Sequence, residues 1–158
     1  MIHGITVGVL LLGVYYGQCT KYVMVPTRPC PENSHSYADL RIENCRSQPC
    51  SLYLGSKLRV KFRSINNSRF TVGVGIHAYF NTTRRNVTTQ WRIRTDCKTP
   101  GVHHQCKAAP DETVEGTVNF TILNDEDFLG KGPMRLDNFN LGCAELDVWI
   151  TETMQERR

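Results

Sequence analysis

A chain of 158 residues has room for one domain and hardly for two. Its formal net charge of +4 suits a surface that tolerates anionic lipid or glycan but is too weak to argue for nucleic acid, which wants a concentrated basic face. No apolar run reaches the length that spans a bilayer.

Residues 1–19 read as a secretory signal. Met1-Ile2-His3 leads, Ile5 to Tyr16 is apolar, and Gly17-Gln18-Cys19 places small residues three and one before the cleavage point. One mature domain is then expected over 20–158. Losing Cys19 leaves six of the seven cysteines, Cys30, Cys45, Cys50, Cys97, Cys106 and Cys143. An even set in an oxidising compartment predicts three disulfides. Spacing supports the local pairs 45 with 50 and 97 with 106, which leaves Cys30 and Cys143 for each other. Secretion also gives meaning to four N-x-Ser/Thr sequons, so Asn66, Asn81, Asn86 and Asn119 are expected to carry glycans.

Thr20 to Glu32, with prolines at 26, 29 and 31, reads as an extended lead-in. Tyr37 to Asn44 is the first predicted strand, with Ala38, Leu40 and Ile42 on one face. Cys45 to Cys50 is a short corner stiffened by Pro49. Lys57 to Ile65 alternates cleanly: Leu58, Val60 and Phe62 point one way, and Lys57, Arg59, Lys61 and Arg63 the other. Asn66-Asn67-Ser68 reads as a turn. Phe70 to Phe80 is the longest alternation, with Phe70, Val72, Val74, Ile76, Ala78 and Phe80 sharing a face that Gly73 and Gly75 interrupt on the other side.

Asn81 to Asn86 reads as a polar turn. Val87, Thr89, Trp91 and Ile93 then share the face of a shorter strand, opposite Gln90, Arg92 and Arg94. Cys97 to Cys106 encloses Pro100-Gly101, a turn signal. Thr113 to Leu123 turns Val114, Val118, Phe120 and Ile122 inward. Asn124 to Pro133 is acidic and then glycine-rich, and reads as a loop. Met134, Leu136 and Leu141 flank a short strand. Cys143 to Thr151 closes the domain with Leu146, Val148 and Ile150 inward. No stretch carries a helical period. The pattern predicts an all-β, immunoglobulin-like antiparallel β-sandwich of about seven to eight strands.

Sites for chemistry are few. Cys97, His103, His104 and Cys106 could be assembled into a metal cluster, but secreted cysteines pair as disulfides, so no metal is expected. Asp125-Glu126-Asp127 lacks the ligand spacing of a calcium loop. There is no G-x-S-x-G and no nucleophile with a base, so neither enzyme activity nor a cofactor is expected. Lys57, Arg59, Lys61 and Arg63 read first as a solvated face and second as a membrane-docking stripe. His77, His103 and His104 read first as ordinary surface histidines and second as acid sensors, since a free imidazole titrates at about pH 6–7.

Cys45-x4-Cys50, followed by Leu52, Gly55 and an alternating strand, resembles the lipid-recognition (ML) domain family, in its branch of small Niemann-Pick type C sterol-transfer proteins and group-two mite allergens. The order of the six mature cysteines fits the same family, over roughly Cys30 to Ile150. The resemblance implies disulfides Cys30–Cys143, Cys45–Cys50 and Cys97–Cys106, and splayed sheets around an apolar cavity. That cavity would hold a sterol, fatty acid or similar hydrophobic molecule. The residues expected to line it are Val60, Phe62, Val74, Ile76, Phe80, Trp91, Val118, Phe120, Val148 and Ile150. The implied protein is a secreted or lysosomal monomer that carries lipid, with transient membrane or receptor contact. A related alternative is an innate-immune protein that presents a lipid to a receptor. The chain departs from the sterol carriers at polar Arg84 to Thr89 and at Val114 and Gly116, so an acyl ligand suits the resemblance as well as a sterol does.

Overall fold

The computed structural model describes residues 22–31, 35–138 and 140–152. The expected signal at 1–19 lies outside them. Among the described residues the strands are β1 (Tyr22–Met24), β2 (Asp39–Glu43), β3 (Cys50–Tyr53), β4 (Lys57–Ile65), β5 (Val72–Gly73), β6 (His77–Arg84), β7 (Val87–Arg94), β8 (Lys107–Ala108), β9 (Thr113–Thr121), β10 (Gly130–Asn138) and β11 (Gly142–Thr151). A four-stranded sheet runs β1-β2-β4-β9 and a five-stranded sheet β3-β11-β10-β6-β7; β5 and β8 form a small ribbon. All pairings are antiparallel except β3 with β11. The architecture is therefore the expected all-β sandwich.

Alternation positions the core. On β4, Leu58, Val60 and Phe62 are buried while Lys57, Lys61 and Arg63 face solvent. Val60 stands opposite Val118 on β9, and Leu58 opposite Phe120. The other sheet answers with Phe80, Met134, Leu136, Leu146, Val148 and Ile150, all at 2% exposure or less. A one-residue slip would turn each of these faces to water, so the register is strongly specified.

The Cys45–Cys50 disulfide sits where the chain leaves the first sheet after β2 and enters the second as β3, with Cα atoms 5.1 Å apart. Cys30–Cys143 fastens the lead-in to β11, and Cys97–Cys106 closes the loop between β7 and β8. All three pairs are those expected.

Four expectations about elements need correction. The run from Phe70 to Phe80 is two strands, and Phe70 is 76% exposed. The chain crosses there from the small ribbon to the large sheet. A Cβ on Gly75 would meet the Thr95 carbonyl at 2.7 Å, so the close approach needs the glycine. The turn at Asn81 to Asn86 shrinks to Arg85 and Asn86, with φ of 49° and 67°, the left-handed pair of a two-residue hairpin turn. Gly130 to Pro133 is strand, because β10 is held between β6 and β11; a single 3-10 turn covers Glu126–Phe128. Ala38 and Val87, expected inward, are exposed: β2 starts after Ala38, and Val87 begins an edge strand beside the hairpin turn.

Candidate functional site

All ten predicted lining residues lie between the sheets, at 9% exposure or less. Val60, Phe62, Val118 and Phe120 come from β4 and β9. Phe80, Trp91, Val148 and Ile150 come from β6, β7 and β11. Val74 and Ile76 lie on the crossing between β5 and β6. Leu58, Met134, Leu136 and Leu146 share this interior, although they were not among the predicted lining residues.

Two aromatic groups mark it. Phe80 and Trp91, opposite each other in register, stack with centroids 3.9 Å apart and planes 4° apart. Phe128 tilts against Trp91 at 4.6 Å. Trp91 Nε1 is buried and has no acceptor. A buried donor without a partner is costly, and in native proteins it calls for an explanation. The second group is Phe62, contacted edge-on by Tyr37 at 6.1 Å and His104 at 5.8 Å. Gly116 makes this possible, because a Cβ there would meet His104 Cβ at 2.5 Å and the His103 carbonyl at 2.8 Å. His104 Nδ1 lies 2.8 Å from the Gln105 carbonyl, which can only accept. Nδ1 therefore donates to that carbonyl, and the buried Nε2 has no hydrogen-bond partner. Cys97 and Cys106 are joined to each other, so they are unavailable to a metal.

The expected glycan site at Asn66 differs in burial from the other three. Asn66 is fully buried. Its Nδ2 donates to the carbonyls of Phe70, Ala108 and Ala109 at 2.9–3.0 Å, and its Oδ1 accepts from the Ser68 amide and hydroxyl. A glycan on Nδ2 has no space there. The sequon is instead a local hydrogen-bond hub of the kind asparagine forms two residues ahead of a serine. Asn81 and Asn86 are exposed, and Asn119 is half-buried with its Oδ1 accepting from Arg59 Nε at 3.1 Å.

The outer faces are polar. On the four-stranded sheet the basic stripe is partly neutralised, Arg59 by Glu43 at 3.4 Å and Arg63 by Glu115 at 3.9 Å. On the five-stranded sheet a recess of about 610 Å³ is lined by Tyr79, Asn81, Gln90, Arg92, Pro133, Arg135, Asp137 and Glu145, and is bordered by Phe80 and Trp91. Arg28 bridges Glu145 and Asp147 at 3.1 and 2.9 Å, and its hydrogen bond holds the Asp147 carboxyl below the usual range. Arg135 pairs with Asp137 at 2.8 Å. Burial first, and then the neighbouring Arg94, depress the His77 imidazole below its ordinary value. Sequence reasoning missed this recess, because Tyr79, Arg92 and Arg135 meet only through cross-strand register.

Two sheets, an apolar interior and three disulfides define a disulfide-tied β-sandwich with a hydrophobic centre. Its fold is that of Niemann-Pick type C2 proteins: a solved structure of one from the Japanese carpenter ant superposes with a TM-score of 0.58 at 15% identity, covering 80% of this chain and 99% of that one. No protein-family model and no curated protein sequence matches the chain.

Proposed function

We propose that this chain is a secreted lipid-binding protein that holds one hydrophobic molecule, a sterol, fatty acid or similar lipid, between its sheets and performs no chemistry on it. The observation that carries this reading is the interior itself: side chains of Val, Ile, Leu, Met and Phe, together with an indole N–H that has no acceptor. An acyl chain that hides about 300 Å² of apolar surface there gains about 7 kcal/mol before the costs of ordering. Trp91 Nε1 would donate to the ligand's oxygen. The likeness of fold to a Niemann-Pick type C2 protein and the three disulfides support lipid carriage in an oxidising compartment, extracellular or lysosomal.

Access runs past Trp91. It lies on the edge strand β7, and Phe128, which packs over it, sits on the exposed Glu126–Phe128 turn. Moving that turn opens the interior without breaking a strand pairing. The chain has two tryptophans, so Trp149→Phe leaves Trp91 as the sole indole reporter. Titrating that variant with a fatty acid and with a sterol should change Trp91 emission and saturate at one ligand per chain. Unchanged emission with both, in protein that also purifies without lipid, would rule the reading out.

A further inference from the structure

We propose that the recess on the outer face of the five-stranded sheet is a second binding site, and that its ligand is an acidic saccharide. The recess opens on the face opposite the interior: side chains alternate along each strand, so Tyr79 and Arg92 point away from the side chains of Phe80 and Trp91, although Phe80 and Trp91 also border the recess.

Three observations set the ligand's chemistry. First, Arg92, Tyr79 and Arg135 form one row across β7, β6 and β10. The row spans two strand spacings, about 10 Å, which is the breadth of a disaccharide. A half-buried tyrosine between two guanidinium groups offers an aromatic surface and donors on both sides, as a pyranose requires. In the adjoining row, Asn81 and Gln90 stand opposite each other, and both are exposed. Where the Asn81 sequon is unoccupied, their amides can donate to and accept from ring hydroxyls.

Second, the charges are unevenly matched. Arg135 pairs with Asp137, and Glu145 with Arg28. Arg92 and Arg94 have no ion pair among the described residues. One acidic group on the ligand would complete the β7 side. Third, the floor holds an unmet need. The Asp137 side chain is 4% exposed, its Oδ2 accepts from Arg135, and its Oδ1 has no partner. This oxygen is closed to solvent, so a ligand hydroxyl would reach it only after a side-chain shift and would then donate to it, whereas a bare anion such as sulfate or phosphate would be repelled. A polyhydroxylated molecule with one carboxylate or sulfate answers all three conditions.

The test uses the secreted full-length protein carrying Thr83→Ala, which removes the Asn81 sequon and keeps the Asn81 amide in the recess. A hyaluronan tetrasaccharide, a neutral chitotetraose and inorganic sulfate are titrated by calorimetry. The acidic tetrasaccharide should bind at least tenfold more tightly than either control. Arg92→Gln should lose about tenfold in affinity, as expected for a charge-assisted hydrogen bond, and Tyr79→Ala a comparable amount. Lys61→Gln, on the opposite sheet, should change nothing. The proposal is overturned if no tetrasaccharide binds, if sulfate binds as well as the sugar, or if Lys61→Gln costs as much as Arg92→Gln. Lipid uptake measured by native mass spectrometry reports separately on the interior site.

Discussion

Replacing Asn66 with alanine tests the local logic of the fold most sharply. Its amide reaches three carbonyls with two N–H groups, so one hydrogen is shared. Net contributions near 1 kcal/mol for each bond give about 2–3 kcal/mol, and the buried Ala108 carbonyl left without this donor adds about 1 more. The same residue joins the end of β4 to the turn before β9, through its own amide to Glu112 and its carbonyl to the Asp111 amide. Asn66→Ala should therefore lose about 3–4 kcal/mol, read from urea unfolding with the disulfides intact. Ser68→Ala, whose hydroxyl bonds are less buried, should lose about 1 kcal/mol. Glycopeptide mapping of secreted protein should find Asn66 bare. A glycan on Asn66, or an alanine variant within 0.5 kcal/mol of the parent by the order of magnitude expected for surface changes, would refute the reasoning.

Other consequences are as specific. Breaking Cys30–Cys143 by double serine substitution should cost about 3 kcal/mol more than breaking Cys45–Cys50, because the sequence separations are 113 and 5; equal losses in denaturant would contradict the chain-entropy account. Gly132→Ala drives a Cβ into the Asn81 carbonyl and should lose about 3 kcal/mol or fail to be secreted. Gly73→Ala meets nothing within 4 Å and should be close to neutral. His77 has its folded pKa lowered, so its contribution is complete above the unfolded value near 6.5 and is lost as pH falls through the lower folded value. His77→Gln should flatten the stability profile in that window, and an unchanged profile would remove His77 as its source.

The scaffold was readable where a strand buries one face and wets the other. Leu58-Arg59-Val60-Lys61-Phe62 and Val118-Asn119-Phe120 declare both strand and orientation, and the ten residues picked by such alternation are all buried. Composition misled where tertiary context overrides local preference. Gly130-Lys131-Gly132-Pro133 has the chemistry of a loop, yet it pairs with β11 throughout. On the β6 side the pairing skips from Lys131–Thr83 to Met134–Phe80, over the proline that cannot donate. Burial of the Asn66 sequon was illegible for a related reason: the motif describes what an asparagine can accept from an enzyme, whereas burial depends on residues more than 40 positions away. The outer recess was half visible. Periodicity put Tyr79 and Arg92 on outward faces, but nothing in the chain sets Arg135 beside them until β10 is placed next to β6.

The central claim is that a lipid occupies the space between the sheets, and native mass spectrometry of protein secreted from eukaryotic cells and deglycosylated tests it most directly. The account predicts a population heavier than the disulfide-bonded chain by the mass of one lipid molecule, displaced on incubation with excess fatty acid or sterol and diminished in Trp91→Ala. A single peak at the mass of the chain alone, unmoved by either lipid, would contradict it.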